Sequence, residues 1–229
     1  MNTNFWIALE ARVAPYNLLT HPFYQAWSRG ELTRDDLRTY AAEYWHHVSA
    51  FPTYLSALHS RLPDSELRRD VLRNLAEEEG TDNPAARPHS DLWMDFAVGM
   101  GATPAEVRSH TVQPELAALL ATFRAAMQEP KPAAALAALY AYESKVPQIA
   151  ATKAEGLATH YSAGATTAKY FTLHQTADVA HAAVWRELID KELAADPEAA
   201  ETALDSAELA AQALWVALDG VERGRQSGR

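Results

Sequence analysis

The chain has 229 residues, 48% of them hydrophobic, which is enough to bury a sizeable core within one domain. Its formal net charge of −10 argues against binding nucleic acid or an anionic membrane surface, since both draw affinity from clustered Lys and Arg. The absence of cysteine excludes disulfides, thiolate metal sites and cysteine nucleophiles, and fits a reducing compartment.

Helical periodicity dominates, and sustained strand alternation is missing. The opening MNTNFWIALEARVAP lacks the basic-then-apolar pattern of a secretory leader, and no run of 18 apolar residues follows, so a cytoplasmic protein is expected. A first helix is predicted near residues 3 to 19, ending before His21-Pro22. Gly30 then breaks the chain, Thr33 can cap, and Asp36 sits three residues on as the capping-box acid. That helix is expected to reach Arg61, with Pro52 kinking or splitting it. LPDSELRRDVLRNLAEEEG opens another, with Asp64 or Ser65 as cap and Gly80 as stop. Residues 81 to 88, TDNPAARP, read as a loop. A short helix over His89 to Met100 is closed by Gly99 and Gly101, and Thr103-Pro104 starts the next. The Ala-rich residues 132 to 153 read as one helix, Thr166 to Glu192 as another, and Pro197 to Asp219 as the last, with a frayed tail. Six to eight helices with short connections make an all-α bundle, a class that often holds metals between facing helices. Fold alone does not give function.

Three places set metal-ligating side chains where packing calls for apolar ones. In YFTLHQTADVAHAAVWRELI, residues 170 to 189, the offsets among His174, Asp178 and His181 are four and three. On a continuous helix at ~100° per residue these side chains fall within about 60° of one another. Burying all three without partners is costly, which points to metal. Glu143 lies among Leu139, Tyr140, Tyr142 and Val146. The triplet Glu77, Glu78 and Glu79 ends a helix, and His89 follows the loop. Imidazole and carboxylate without thiolate suit iron, manganese or zinc. One Glu and one His from the last group, Glu143, and the three late residues make six ligands, enough for two metals with bridging carboxylates. The Glu-x-x-His repeat of ferritin-like bundles is missing, which disfavours that assignment. Blander readings stand beside each group. Glu143 can pair with Lys145 or Lys153, the triplet can be a solvated helix end, and His46 and His47 cannot share a face, so His47 is placed behind the ligands and His46 at the surface.

HPFYQAWSRGELTRDDLRTYAAEYWHHVSAFPTYLSALHSRLPD resembles the N-terminal half of the CADD-type proteins of the heme-oxygenase-like diiron group. The likeness continues through RNLAEEEG, HSDLW, AALYAYESKVPQIA and YFTLHQTADVAH, across roughly residues 5 to 220. The resemblance implies a single-domain, all-α, heme-oxygenase-like bundle of about seven helices over residues 1 to 220, with 221 to 229 as a flexible tail. It implies a dinuclear Fe/Fe or Fe/Mn site, without heme, held by Glu78, His89, Glu143, His174, Asp178 and His181. It further implies synthesis of 4-aminobenzoate, a folate precursor, from a tyrosine of the protein itself, with dioxygen and a reductant as co-substrates. By motif Tyr24 matches that tyrosine, Lys153 the lysine implicated in supplying the amino group, and Tyr142 a tyrosine near the metals. On one continuous helix Lys153 would lie about 15 Å along the axis from Glu143, so it would need its long side chain and a kink at Pro147. TDNPAARP lengthens the family's gap between Glu78 and His89, and adjacent helical positions point ~100° apart, so only one of the three glutamates can face the metals well.

Rival readings are a diiron oxidase of the same fold acting on a diffusible amino acid or fatty acid, and a non-enzymatic helical interaction protein. A cofactor-independent, thiaminase-like reading is opposed by the missing cysteine and the complete ligand set. A homodimer is the expectation from symmetry, with an external reductant as a further partner.

Overall fold

The computed structural model describes residues 3–62 and 65–227. Among them the chain forms α1 (Thr3–Val13), two 3₁₀ turns (Ala14–Tyr16, Leu18–Thr20), α2 (Pro22–Ser28), α3 (Arg34–Arg61) and α4 (Ser65–Glu78). It continues through α5 (His89–Gly99), α6 (Pro104–Ser109), α7 (Pro114–Ala126), α8 (Pro132–Glu143) and α9 (Val146–His160). The path closes with α10 (Ala165–His174), α11 (Ala177–Ala195), a 3₁₀ turn (Pro197–Ala199) and α12 (Ala200–Ser227). No strand occurs among the described residues, so the all-α expectation holds. The twelve α-helices among these residues outnumber the expected seven, in part because two predicted helices are each broken in two.

Local chemistry accounts for most of the boundaries. Thr33 accepts from the Asp36 amide while the Asp36 side chain accepts from the Thr33 amide, closing the capping box that starts α3. Pro52 neither splits nor ends α3, which runs unbroken and buries the ring. Pro15 ends α1 before residue 19, and the chain takes 3₁₀ turns instead. The predicted caps Asp64 and Ser65 cannot be described: Asp64 lies outside the described residues, as does the Ser65 side chain. Gly80 adopts φ +63°, and a Cβ there would meet the backbone of Arg87 and Pro88, so glycine lets the 81–88 loop fold back.

Two predicted helices are broken, and both breaks matter for the site. The 132–153 helix stops at Glu143 and restarts at Val146. Pro147 has no N–H to give the carbonyl four residues back, which is that of Glu143. The late helix breaks at Gln175-Thr176 without any proline or glycine. At the C-terminus α12 runs past Asp219 to Ser227 with Val221 and Glu222 buried, in place of the frayed tail expected from residue 221.

Helix α8 is the buried centre. Its alanines, Ala133, Ala134, Ala135, Ala137, Ala138 and Ala141, are almost fully covered and allow α11 and α12 to pack closely. No helix among the described residues is long and apolar enough to cross a membrane.

Candidate metal centre

Two groups of buried ligand-type side chains converge: Glu78, His89 and His174 in one, Glu143, Asp178 and His181 in the other. Within each, one ligand atom per residue lies within 4.8 Å of the others. All six residues sit at helix ends. Glu78 closes α4 and His89 opens α5; Glu143 closes α8 and His174 closes α10; Asp178 and His181 lie in the first turns of α11. The sequence reading put His174, Asp178 and His181 on one helical face. The break at 175–176 instead sends His174 to one group and Asp178 and His181 to the other. Both groups open on one small void of about 10 Å³, whose lining includes Glu78, Glu143, His174 and Asp178.

The hydrogen bonding fits metal binding. His89 Nδ1 lies 2.8 Å from Glu78 Oε2, an ion-pair distance in an alignment too poor for a full hydrogen bond, which suits two atoms aimed at a common point. Glu143 Oε1 is buried with no partner, while Oε2 accepts from Trp185 Nε1. Nδ1 of His174 is used by the Tyr170 carbonyl at 2.7 Å, which leaves Nε2 for a metal. His181 turns Nε2 to Glu77 Oε2 at 2.8 Å and Nδ1 towards Asp178 and Glu143, at 3.2 and 3.7 Å. Metal-bound imidazoles are ordinarily oriented through the other nitrogen in this manner.

Charge points the same way. Burial, with the nearby Asp178 and Glu78 charges, raises the Glu143 carboxyl to about 8 against the pull of His181. Burial lowers the His181 imidazole, but its bond to Asp178 and the Glu143 charge outweigh this and lift it to about 10. Burial also pushes the Glu78 carboxyl up, yet His89 more than offsets it and the net shift is down. Three buried carboxylates facing one void call for cations.

The neighbours sort out as follows. Of the glutamate triplet, Glu78 is the buried member; Glu77 is partly exposed and holds His181, and Glu79 is exposed. Glu143 pairs with neither lysine, since Lys145 reaches Glu10 and Lys153 lies elsewhere. His47 is fully buried among aromatic rings with neither nitrogen bonded, and burial lowers it to about 3; it packs against Tyr142 and hydrogen-bonds no ligand. His46 is half-buried near His110, not at the surface.

A second cluster lies beside the first. Lys153 Nζ is buried 2.8 Å from the Tyr24 hydroxyl and 2.6 Å from that of Tyr40, and the two hydroxyls are 3.2 Å apart. Trp27, Tyr44, Trp93 and Phe171 complete an aromatic cage about the amine. Among the described residues no carboxylate pairs with it, and burial pulls the amine well below its usual range. A chamber of about 20 Å³ lies among Tyr24, Lys153, Tyr142 and Tyr170, and the last two also line the void between the ligand groups. Lys153 gains this position because the chain breaks after Glu143; α9 sets off in a new direction, so the 15 Å axial separation does not apply. Tyr40 and Trp185 escaped the sequence reading. Trp185 lies four residues after His181, on the same face of α11, and that spacing is the signal that could have found it. Tyr40 left no local signal.

The sequence profile of a family described as iron-containing redox enzymes matches residues 38–215. A protein of Nitrosomonas europaea named 4-aminobenzoate synthase is 40% identical, the match covering 96% of this chain and 92% of that one. One of the same name from Chlamydia trachomatis is 39% identical over 94% and 91% of the two chains. In structure, a domain of unknown function with a heme oxygenase-like fold from Shewanella denitrificans superposes with a TM-score of 0.82 at 17% identity, over 99% and 94% of the chains. A CADD-like protein of unknown function from Nostoc punctiforme gives 0.75 at 14% identity, over 100% and 98%.

Proposed function

Because the chain belongs to the iron-containing redox enzymes of heme-oxygenase-like fold, we propose that it makes 4-aminobenzoate, using dioxygen and the ring of its own Tyr24. The buried contact between Lys153 Nζ and the Tyr24 hydroxyl, 2.8 Å, carries this reading. In tyrosine the hydroxyl and Cβ are para to each other, as are the amine and carboxylate of 4-aminobenzoate. The Lys153 nitrogen therefore lies next to the ring position where an amine has to enter. A diffusible amino acid or fatty acid fits poorly: the chamber's 20 Å³ is about one water's worth of space. A ring that is already part of the chain needs no entry.

Glu78, His89, His174, Glu143, Asp178 and His181 would hold two metal ions, Fe/Fe or Fe/Mn, since this donor set suits both. When bound, the pair supplies dioxygen activation, with electrons from an external reductant. The chain's own groups do the rest. Tyr170 and Glu77 set the orientation of His174 and His181, and Trp185 holds Glu143. Held neutral by burial, the Lys153 amine donates to the Tyr24 hydroxyl and keeps a lone pair beside it, while burial keeps that hydroxyl protonated. The aromatic cage keeps bulk water from both. Tyr142 and Tyr170 stand between this chamber and the ligand groups. A homodimer in the cytoplasm completes the proposal.

The test uses purified protein, ferrous iron with or without manganese, a reductant and dioxygen, with no added organic substrate. Mass spectrometry should find 4-aminobenzoate together with loss of side-chain mass in the peptide bearing Tyr24. Tyr24→Phe should bind metal normally and form none. Metal uptake by the parent protein with neither change sinks the proposal.

A further inference from the structure

We propose that the surface cleft between the α1–α2 connection and α9 is the exit for a single-ring aromatic carboxylate formed in the chamber, with Leu18 as the part of the partition that moves and Tyr142 as its fixed side. The inference rests on the reading that Tyr24 supplies the product.

The cleft measures about 220 Å³, and its walls include Ala14 and Leu18 on one side and Ala141, Tyr142, Lys145 and Gln148 on the other. Leu18 and Tyr142 also line the inner chamber, so these two side chains separate it from solvent-connected space. Two other surface clefts, one beside Arg61 and Pro132 and one beside Thr33 and Arg225, share no lining residue with the chamber. Once severed, a ring has to leave a space of about 20 Å³, so a wall must yield. Trp93, Phe171 and Tyr44 are backed by packed core, where displacement would force repacking. Behind Leu18 lies open space and the side chain has freedom to use it, whereas the Tyr142 ring is held against His47, Phe51 and Phe123. Leu18 belongs to a 3₁₀ turn, closed by a 3.1 Å bond from the His21 amide, which is poorer hydrogen bonding than an α-helix provides.

The cleft's chemistry suits release rather than storage. Its volume is below the range typical of drug-sized ligands and matches something smaller. Lys145 brings an ammonium to the mouth; Glu10 accepts one of its three donors at 2.8 Å, so the cation is only partly available to a passing carboxylate.

Ala14→Trp and Gln148→Trp each place an indole in the cleft from an exposed position, on opposite walls. With the metal-loaded protein, product is measured after denaturation and, separately, in the filtrate of native protein. Total product should equal the parent's, while its appearance in the native filtrate slows at least about tenfold in both variants. Release at the parent rate overturns the exit. So does a fall in total product that matches the fall in free product, because the cleft would then serve formation. Absence of product from the denatured parent protein refutes the Tyr24 reading instead. The passage is then tested from outside, by paramagnetic broadening of the ring protons of added 4-aminobenzoate. That broadening should weaken in both variants, and equal broadening overturns the passage.

Discussion

Lys153 Nζ lies 2.8 Å from the hydroxyl of Tyr24, 129 residues earlier in the chain, in a fully enclosed contact. An amine held there has left water without gaining a carboxylate, so its protonated form is disfavoured and the folded state carries that cost below the amine's ordinary pKa.

The cost has a definite sign. The folded amine titrates well below the unfolded value of about 10.4, so the unfolded chain binds more protons between the two values. Stability from this group is complete above about pH 10 and is lost as pH falls towards the folded pKa. Lys153→Met should therefore stabilise the protein at neutral pH while abolishing product. Urea unfolding of both proteins at pH 7 and pH 10 checks this: their difference should shrink at the higher pH.

Glu77 is expected to act on the metals through His181, whose Nε2 it holds at 2.8 Å. Removing such an orienting carboxylate typically lowers metal affinity about 10- to 100-fold. Glu77→Gln should show that loss at one of two iron equivalents, the one belonging to Glu143, Asp178 and His181. Iron titration followed by metal analysis distinguishes this from uniform weakening, which a general loss of structure would give.

Metal uptake should depend steeply on pH. In the metal-free protein burial raises the Glu143 carboxyl and the bond to Asp178 raises the His181 imidazole, so this contacting pair retains proton at pH 7 that must leave before its atoms can ligate. Apparent affinity should rise with pH up to about 8 and continue to rise more gently towards 10. Calorimetry in buffers of different ionisation enthalpy should record a net release of protons on metal binding at pH 7, and less of it at pH 10.

Gly156 lets α2 approach α9. A Cβ there would come 2.6 Å from Trp27 Cδ1, and the same indole donates to the Lys153 carbonyl at 3.2 Å. Gly156→Ala should push Trp27 and its neighbour Tyr24 away from Lys153. Overpacking of this kind costs about 1–3 kcal/mol. The expected result is a lowered Tm with product reduced and metal content unchanged, read from thermal melts and metal analysis on one sample.

The sequence by itself determined the all-α class, the capping box at Thr33 and Asp36, the reversal at Gly80 and the chemical types of the six ligand-like residues. Each is local: capping and positive φ depend on a few neighbouring residues, and carboxylates and imidazoles stand out in an apolar stripe wherever they fall. Tertiary structure decided how they are shared out. Apolar periodicity persists on both sides of a break, so residues 132–153 and 166–192 each read as one helix although the chain turns at 144–145 and at 175–176. Those turns divide His174 from Asp178 and His181, and they redirect α9 so that Lys153 meets Tyr24 and Tyr40. Contacts across more than a hundred residues leave no trace in local spacing, because the free energy that selects them comes from packing the whole core.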